Sequence, residues 1–423
     1  MIKKNTKAFI CGIFLVNTIV TNVHSAELLT FTEKKSEKAQ PAVITSLLKA
    51  KSTQSVRFAR FDINLLDHAT GSIELPDFDG GSKTFYRNKI THSDNEKYLV
   101  WNGDGEKNST RENSSHEVKR DLLNQATLVI HGTSLAGSYR IDGQLYQIWP
   151  LKNSEIAIVK VNESMIIDTD ADDNDINLKA VTCSPPGDYP GDNNPVSTIR
   201  VAIVTTDETR RALAGTDMDA LVALAFEEAN QAATNSDVGI HFENAGVLDA
   251  EFVEFGTYSE MRKKMYANSG TWLGNQIKQF RDTHKADLAV LLAEKASENG
   301  TGTNDARKDN AFSVVNYRSF TGAYTFAHEM GHNIGSSHDL DQYGGVPKRE
   351  PCYRHGYKHE SSNPTQRWRT VMSYQCKTGS CPRVNMFSNP RLTYNNIPLG
   401  SKEYEDNARR LNERRETVAA FYP

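Results

Sequence analysis

Twelve residues, His328-Glu-Met-Gly-His-Asn-Ile-Gly-Ser-Ser-His-Asp339, restrict this chain more than any other stretch. His328 and His332 are four apart, so on a helix both imidazoles leave one face, separated by about 6 Å of axial rise. That spacing lets two ring nitrogens share one metal ion. A third ligand further along the same helix would be carried out of reach, so the chain must turn. Gly335 stands where it would do so, because glycine alone enters a left-handed conformation without steric cost. His338 then returns as the third nitrogen. Three protein ligands with an open fourth position are the pattern of one catalytic Zn2+ ion rather than a structural one. Glu329, beside the first histidine, is placed to deprotonate a water whose pKa such an ion lowers to about 7. An amphipathic helix with incidental histidines would leave Gly335, His338 and Asp339 without a reason.

The other ends of the argument come from composition. A chain of 423 residues, 38% apolar and 24% charged, is ordinary globular material for two or three domains. Its formal net charge of −4 gives no basic footprint for nucleic acid. Lys3, Lys4 and Lys7 precede an apolar run from Ala8 to Val20, followed by small residues at Ser25 and Ala26. This is the plan of a signal peptide over 1–25, and it predicts a secreted protein. The run is too short to span a bilayer and no later segment reaches about 20 apolar residues, so no membrane anchor is expected. Cys11 leaves with that run; Cys183, Cys352, Cys376 and Cys381 remain. Export makes disulfides the natural state of four cysteines, which permit three pairings. Cys376 and Cys381 bracket only Lys-Thr-Gly-Ser, yet either can also reach Cys352.

Read in order, 27–120 is polar with short strand-like pieces such as Val56–Asn64, and Asn102–Glu117 reads as an exposed loop. From Ala126 to Val161 the pattern alternates with period two. Asp142-Gly143 between Ser138–Ile141 and Gln144–Ile148 predicts a hairpin with a two-residue primed turn, and the strand Glu155–Val161 follows. The acidic run Asp168–Asp175 fails the calcium-loop pattern, with Asp173 and Lys179 where glycine and glutamate belong. It reads as a solvated linker. The Pro- and Gly-rich stretch Cys183–Pro195 marks a domain boundary. Beyond it come a buried strand at Arg200–Thr205 and a helix over Met218–Ala233. Strand material at His241–Phe255, helix over Tyr258–His284, strands at Ala286–Ala293 and Ala311–Asn316, and a last helix over Glu403–Phe421 complete the order. Strands alternating with helices predict an α+β fold with a mixed sheet covered by helices. His355 and His359 are also four apart, but Gly356 argues against a helix, and they read as loop histidines.

From His328 to Asp339 the chain resembles the metzincin zinc endopeptidases, which carry HExxHxxGxxH and a Met-turn beneath the metal; Thr370-Val-Met372-Ser-Tyr374 supplies that methionine. More narrowly it is similar to the secreted bacterial peptidyl-Asp metalloendopeptidases, a reprolysin- or adamalysin-like group. That likeness rests on Gly322–His332, Trp368–Tyr374, Cys381–Asn385, Phe387–Pro390 and Asn407–Asn412. From 198 to 321 only the order of elements supports it. The resemblance implies a metzincin-type catalytic domain over 196–423: a mixed twisted sheet with covering helices, a zinc helix, a Met-turn and a C-terminal helix. It implies a β-rich propeptide over 26–195 as the enzyme's own inhibitor, and zinc-dependent cleavage of protein or peptide substrates on the amino side of Asp. An edge strand at Ala311–Asn316 would align substrate by strand addition.

Within that frame Tyr374 is expected to stabilise the oxyanion, Met372 to floor the site, and Asp339 to fix the turn that returns His338. Arg369, Arg383 and Arg391 are the candidates for a pocket that accepts a carboxylate. Cys183 either places a thiolate on the metal in the unprocessed chain or closes one of two disulfides. A broad-specificity adamalysin-like protease of host matrix or mucin proteins is the alternative enzyme. A catalytically silent secreted binding protein is the other alternative, and an intact Glu329 with all three histidines speaks against it.

Overall fold

The computed structural model describes residues 26–32, 41–66, 70–93, 97–107, 116–166, 178–191, 194–266, 270–295 and 299–423. The expected signal peptide, the acidic run Asp168–Asp175 and residues 108–115 of the expected loop lie outside them; Asn102–Asp104, read as the start of that exposed loop, are instead the buried end of a strand. Two bodies of secondary structure meet face to face, giving a mixed α+β molecule with a β-rich N-terminal part. Among the described residues no helix is long and apolar enough to cross a membrane.

The N-terminal part is one ten-stranded sheet. Its strands are β1 (Ala26–Glu27), β2 (Leu29–Thr32), β3 (Thr53–Phe61), β4 (Ser72–Pro76) and β5 (Ser82–Ser93), then β6 (Tyr98–Asp104), β7 (Gln125–His131), β8 (Ser134–Ile141), β9 (Gln144–Pro150) and β10 (Glu155–Val161). Their order is β1-β4-β5-β6-β7-β8-β9-β10-β3-β2. All neighbours are antiparallel except β1 and β4. The β8–β9 hairpin turns at Asp142 (φ 49°) and Gly143 (φ 83°), the primed turn that the dipeptide predicts. The sheet starts at Ala26, a hundred residues before the expected module, because β3 to β6 carry polar residues on outward positions that mask the alternation. It curls: Phe31 of β2 at one edge meets Phe78, beyond β4 near the other, at 6.2 Å. The curl encloses Leu29, Phe61, Ile73, Phe85, Leu128 and Ile148 on one face.

The second body is built on a five-stranded sheet, β11 (Ser197–Thr205), β12 (Ile240–Asp249), β13 (Leu288–Ala293), β14 (Gly300–Gly302) and β15 (Phe312–Asn316), ordered β12-β11-β13-β15-β14. Four strands are parallel and β14 is antiparallel. The run Leu-Ala-Val-Leu-Leu-Ala of β13 is apolar throughout because helices cover both faces. Ile203, Leu288 and Val290 pack with Ala225, Ala229, Met330, Ile334 and Leu411 on one side; Val204 and Leu291 pack with Met261, Leu273 and Ile277 on the other. The expected edge strand is an interior one: β15 lies between β13 and β14. Gly-Thr-Gly has neither alternation nor β-branched density to announce β14.

After the N-terminal α1 (Ala42–Lys49), the helices of this body are α2 (Asp207–Ala212), α3 (Met218–Asn235), α4 (Tyr258–Lys264), α5 (Trp272–His284), α6 (Thr325–Ile334) and α7 (Asn407–Ala419). The single helix read over Tyr258–His284 is two. Thr257 caps α4 with a reciprocal Glu260 bond, and Thr271 accepts from the Gly274 amide to start α5 afresh. The last helix begins later than expected, where Asp406 accepts from the Arg409 amide.

The seam between the two bodies is polar on one side and apolar on the other. Val129, Ala136 and Trp149 of the ten-stranded sheet pack with Leu221 and Leu224 of α3 and with Tyr317 and Ala323. Beside them Ser138 donates to Glu228 (2.5 Å), Asn102 to Glu227 (2.9 Å) and Arg120 to Asn235 (2.8 Å). Glu228 is enclosed, and burial pushes its carboxyl up to about 7, against the Ser138 and Gly322 hydrogen bonds.

Candidate metal centre and active site

Helix α6 carries His328, Glu329 and His332, and every one of its ten residues is buried. It stops at Gly335, whose φ of 123° is the turn its position predicts. The amides of Gly335 and Ser336 both close back on Gly331 O, at 3.0 and 2.8 Å. A side chain at 335 would also meet Arg410 Nε at 2.8 Å, so glycine is required there twice over.

The turn delivers His338. The three Nε2 atoms stand 3.1 Å (His328–His332), 3.2 Å (His328–His338) and 2.9 Å (His332–His338) apart. Nitrogens sharing a tetrahedral ion at about 2.0–2.1 Å would stand about 3.3 Å apart, so the spacing fits zinc. Protonation fits as well. His328 Nδ1 donates to Val371 O (2.8 Å) and His332 Nδ1 to Ser336 O (2.9 Å), which leaves an Nε2 lone pair on each neutral ring. Burial, and then the neighbouring His332, push the His328 pKa well below the imidazole range. Lone pairs converging in a buried space suit a cation.

Two close approaches depend on glycine. A Cβ on Gly302 of β14 would lie 2.9 Å from Glu329 Oε2, and one on Gly300 would collide with Oε1. So β14 runs tight against the Glu329 carboxylate because it has no side chains there. A Cβ on Gly331 would lie 2.5 Å from Met372 Sδ, so the helix glycine admits the methionine under the histidines.

Tyr374 lies beside the third histidine. Its ring stands 4.4 Å from the His338 ring at an interplanar angle of 48°. Its amide donates to Asp339 Oδ2 (2.8 Å). Asp339 therefore ties the segment Thr370–Tyr374 to the loop that carries His338, and Lys358, its side chain buried, pairs with it at 2.9 Å. Nothing in the spacing of the chain pointed to Lys358. His355 is more than a loop histidine: it is buried, its Nδ1 lies 2.7 Å from His338 O, and burial pushes its pKa down to about 4.

The three arginines do not form one pocket. Arg369 donates to Cys381 O (3.1 Å) and Ser373 O (2.5 Å), and Arg383 to Ala323 O (2.9 Å) and Ser373 O (3.3 Å), and both are buried. Arg391 turns away to pair with Asp406 at 2.5 Å. The thiolate reading of Cys183 is overturned, because Cys183 is bonded to Cys352 and Cys376 to Cys381. A disulfide sulfur has no thiolate to offer.

The N-terminal part reaches this site. Gln375, next to Tyr374, donates to Glu163 O (3.1 Å). Arg140 grips Glu163 at 2.5 and 2.9 Å, donates to Gly322 O (3.0 Å), and lies 5.3 Å from the Tyr324 ring. Gln147 donates to Arg318 O (2.9 Å) and Thr321 O (2.7 Å), while Glu228 accepts the Gly322 amide. The loop leading into α6, with Gly322 at φ 72° and Tyr324 at φ 58°, is thus held from both bodies. The consecutive carbonyls Gly322 and Ala323 are held by one arginine from each.

Comparison with known proteins agrees with the geometry. The Reprolysin_5 model of metallopeptidase family M12 matches residues 196–388. The chain is similar to the peptidyl-Asp metalloendopeptidase of Stenotrophomonas maltophilia (strain R551-3), 32% identical over 418 residues that cover 97% of each. It is 30% identical over 398 residues to the protein of that name from Xanthomonas campestris pv. campestris, covering 90% of this chain and 89% of the other. One from Pseudomonas fragi matches at 33% over 156 residues, 37% of this chain and 96% of its own.

Proposed function

This chain belongs to the peptidyl-Asp metalloendopeptidases of metallopeptidase family M12 and is a zinc metalloendopeptidase, and on that premise we propose that it is exported and cuts peptide bonds on the amino side of aspartate with Glu329 as its general base. The observation that carries the proposal is the convergence of three Nε2 atoms within 3.2 Å beside a buried carboxylate. His328, His332 and His338 are the proposed ligands. When bound, zinc supplies Lewis acidity, lowering the pKa of a water and polarising the scissile carbonyl. Glu329 takes the proton of the attacking water and hands it to the departing amine nitrogen. The carbonyl carbon thereby exchanges nitrogen for oxygen.

Tyr374 is proposed to donate a hydrogen bond from its phenol to the oxygen on which charge develops, a role its ring position beside His338 supports. Tyr374→Phe is expected to lower kcat roughly 10²-fold with KM and zinc content near wild type. Unchanged kcat would leave the tyrosine a packing residue.

The relatives' names motivate the aspartate preference. A peptide-library digestion by the matured enzyme should show Asp dominant after the cut. A profile without acidic preference there would sink the specificity and spare the protease.

The propeptide is proposed to end earlier than 195. Cys183 is bonded to Cys352, the Val181 amide donates to Pro347 O (3.2 Å), Arg409 donates to Gly187 O (2.9 Å), Tyr189 lies under Arg391 (4.8 Å), and Arg415 donates to Pro195 O (2.5 Å). This strap rides on α7 and belongs with the catalytic body. We therefore place the maturation cut upstream of Val181, and the ten-stranded sheet, with its grip beside Gln375, is the part that inhibits. Intact mass of the matured enzyme, with and without reductant, is expected to show one chain that retains Cys183. A peptide released only on reduction would put the cut after Cys183 instead.

A further inference from the structure

The third proposed ligand sits on a loop, outside the helix that fixes the first two, so something else must hold its aim. His355 is the group in reach. Its ring is buried, with the residue 3% exposed, and Nδ1 lies 2.7 Å from His338 O. A carbonyl oxygen only accepts, so Nδ1 carries the proton and donates. The residue is held by one contact to its ring and two to its backbone. Tyr343 stands edge-on to it at 5.3 Å. The His355 amide donates to Tyr404 O (3.1 Å), and Ser388 Oγ donates to His355 O (2.7 Å). The neighbours on either side of His355 bind the residue just before the ligand: the Ser337 amide donates to Arg354 O (2.8 Å), and the Gly356 amide donates to Ser337 O (3.1 Å).

We propose that His355 is a positioning residue for His338, fixing the ligand's own carbonyl so that its Nε2 stays aimed at the point shared with His328 and His332. This rests on His338 being a ligand. Ser337 is already clamped by backbone, so the His355 bond removes the freedom that remains at 338 itself. The carbonyl it satisfies is buried in a residue 3% exposed, and water does not readily replace the donor there. Outer partners of metal ligands typically change metal affinity by about 10–100-fold when removed. A packing histidine, by contrast, is replaceable by any ring of its size.

The test uses the full chain loaded with Zn2+, and reads the rate at which a chromogenic chelator strips the ion, beside near-UV circular dichroism. His355→Phe keeps a ring against Tyr343 and deletes the donor; zinc release is expected to accelerate roughly 10–100-fold with the folded spectrum retained. His355→Asn can place an amide N–H where Nδ1 stands, and release within a few-fold of wild type is expected. If the Phe chain does not fold, His355→Gln takes its place; its amide sits one methylene further out, and release faster than in the Asn chain is expected. Equal release from all three chains overturns the proposal. His338→Ala separates this from the ligand reading. If it holds zinc as tightly as wild type, His338 is no ligand. If it sheds zinc while His355→Phe does not, the positioning role alone is lost.

Discussion

Glu329→Gln should retain one equivalent of zinc and lose roughly 10³-fold in kcat/KM, within the 10²–10⁴ span of a lost general base. The substitution is nearly isosteric, and that matters here. Glu329 is 3% exposed, and β14 passes so close that a Cβ on Gly302 would touch its Oε2 at 2.9 Å. A larger or smaller residue would move the strand and confound chemistry with shape. Glutamine keeps the shape, keeps an acceptor oxygen, and removes the ability to hold a proton between water and leaving amine. The three histidine nitrogens are untouched, so metal content should not change. Turnover within tenfold of wild type, at equal zinc, would assign the base elsewhere.

The second large effect is on stability. Arg140→Met is expected to cost the full chain about 3–5 kcal/mol, seen as an earlier urea midpoint by tryptophan fluorescence, because breaking a buried pair strands the surviving charge. Arg140 is 1% and Glu163 7% exposed, and the guanidinium meets both carboxylate oxygens while also serving Gly143 O (3.1 Å) and Gly322 O (3.0 Å). Arg140→Met with Glu163→Gln together should recover much of the loss, since the stranded charge is gone. Lys97–Asp219 gives the contrast. It crosses the same seam at 2.8 Å, but both side chains are about half exposed, so Lys97→Ala should cost no more than about 1 kcal/mol. Equal losses at the two positions would mean that burial is not what makes the Arg140 pair matter.

What could be read in advance was what short-range covalent geometry dictates. The spacing of His328 and His332, the turn at Gly335 and the hairpin at Asp142-Gly143 each depend on a few consecutive dihedrals, and the structure has all three. The rest depended on segments distant in sequence. Lys358 reaches Asp339 from 19 positions away and His355 reaches His338 from 17, along an irregular stretch with no periodicity to project. The ten-stranded sheet was half hidden because its outer strands are polar on the solvent side, and β14 was invisible because what it offers Glu329 is the absence of side chains. Four cysteines allowed a bound thiolate with one thiol left over, or two bridges; only the approach of Cys183 to Cys352 decided it. The arginines were placed near the Met-turn, but not their carbonyl partners, which belong to backbone far away.

The paired grip on the loop before α6 has a consequence for the working life of the enzyme. Arg383 comes from the second body and stays on Ala323 O; Arg140 and Gln147 come from the N-terminal sheet and, on the proposed maturation, would depart with it. Three carbonyls, at 318, 321 and 322, then pass from protein donors to solvent, next to a tyrosine held at positive φ. Backbone that has exchanged buried partners for water opens more readily. The matured enzyme should therefore wear out from this hinge first: heat inactivation would begin at the approach to its own metal helix, and the shelf life of the stored, unprocessed chain would exceed that of the active one.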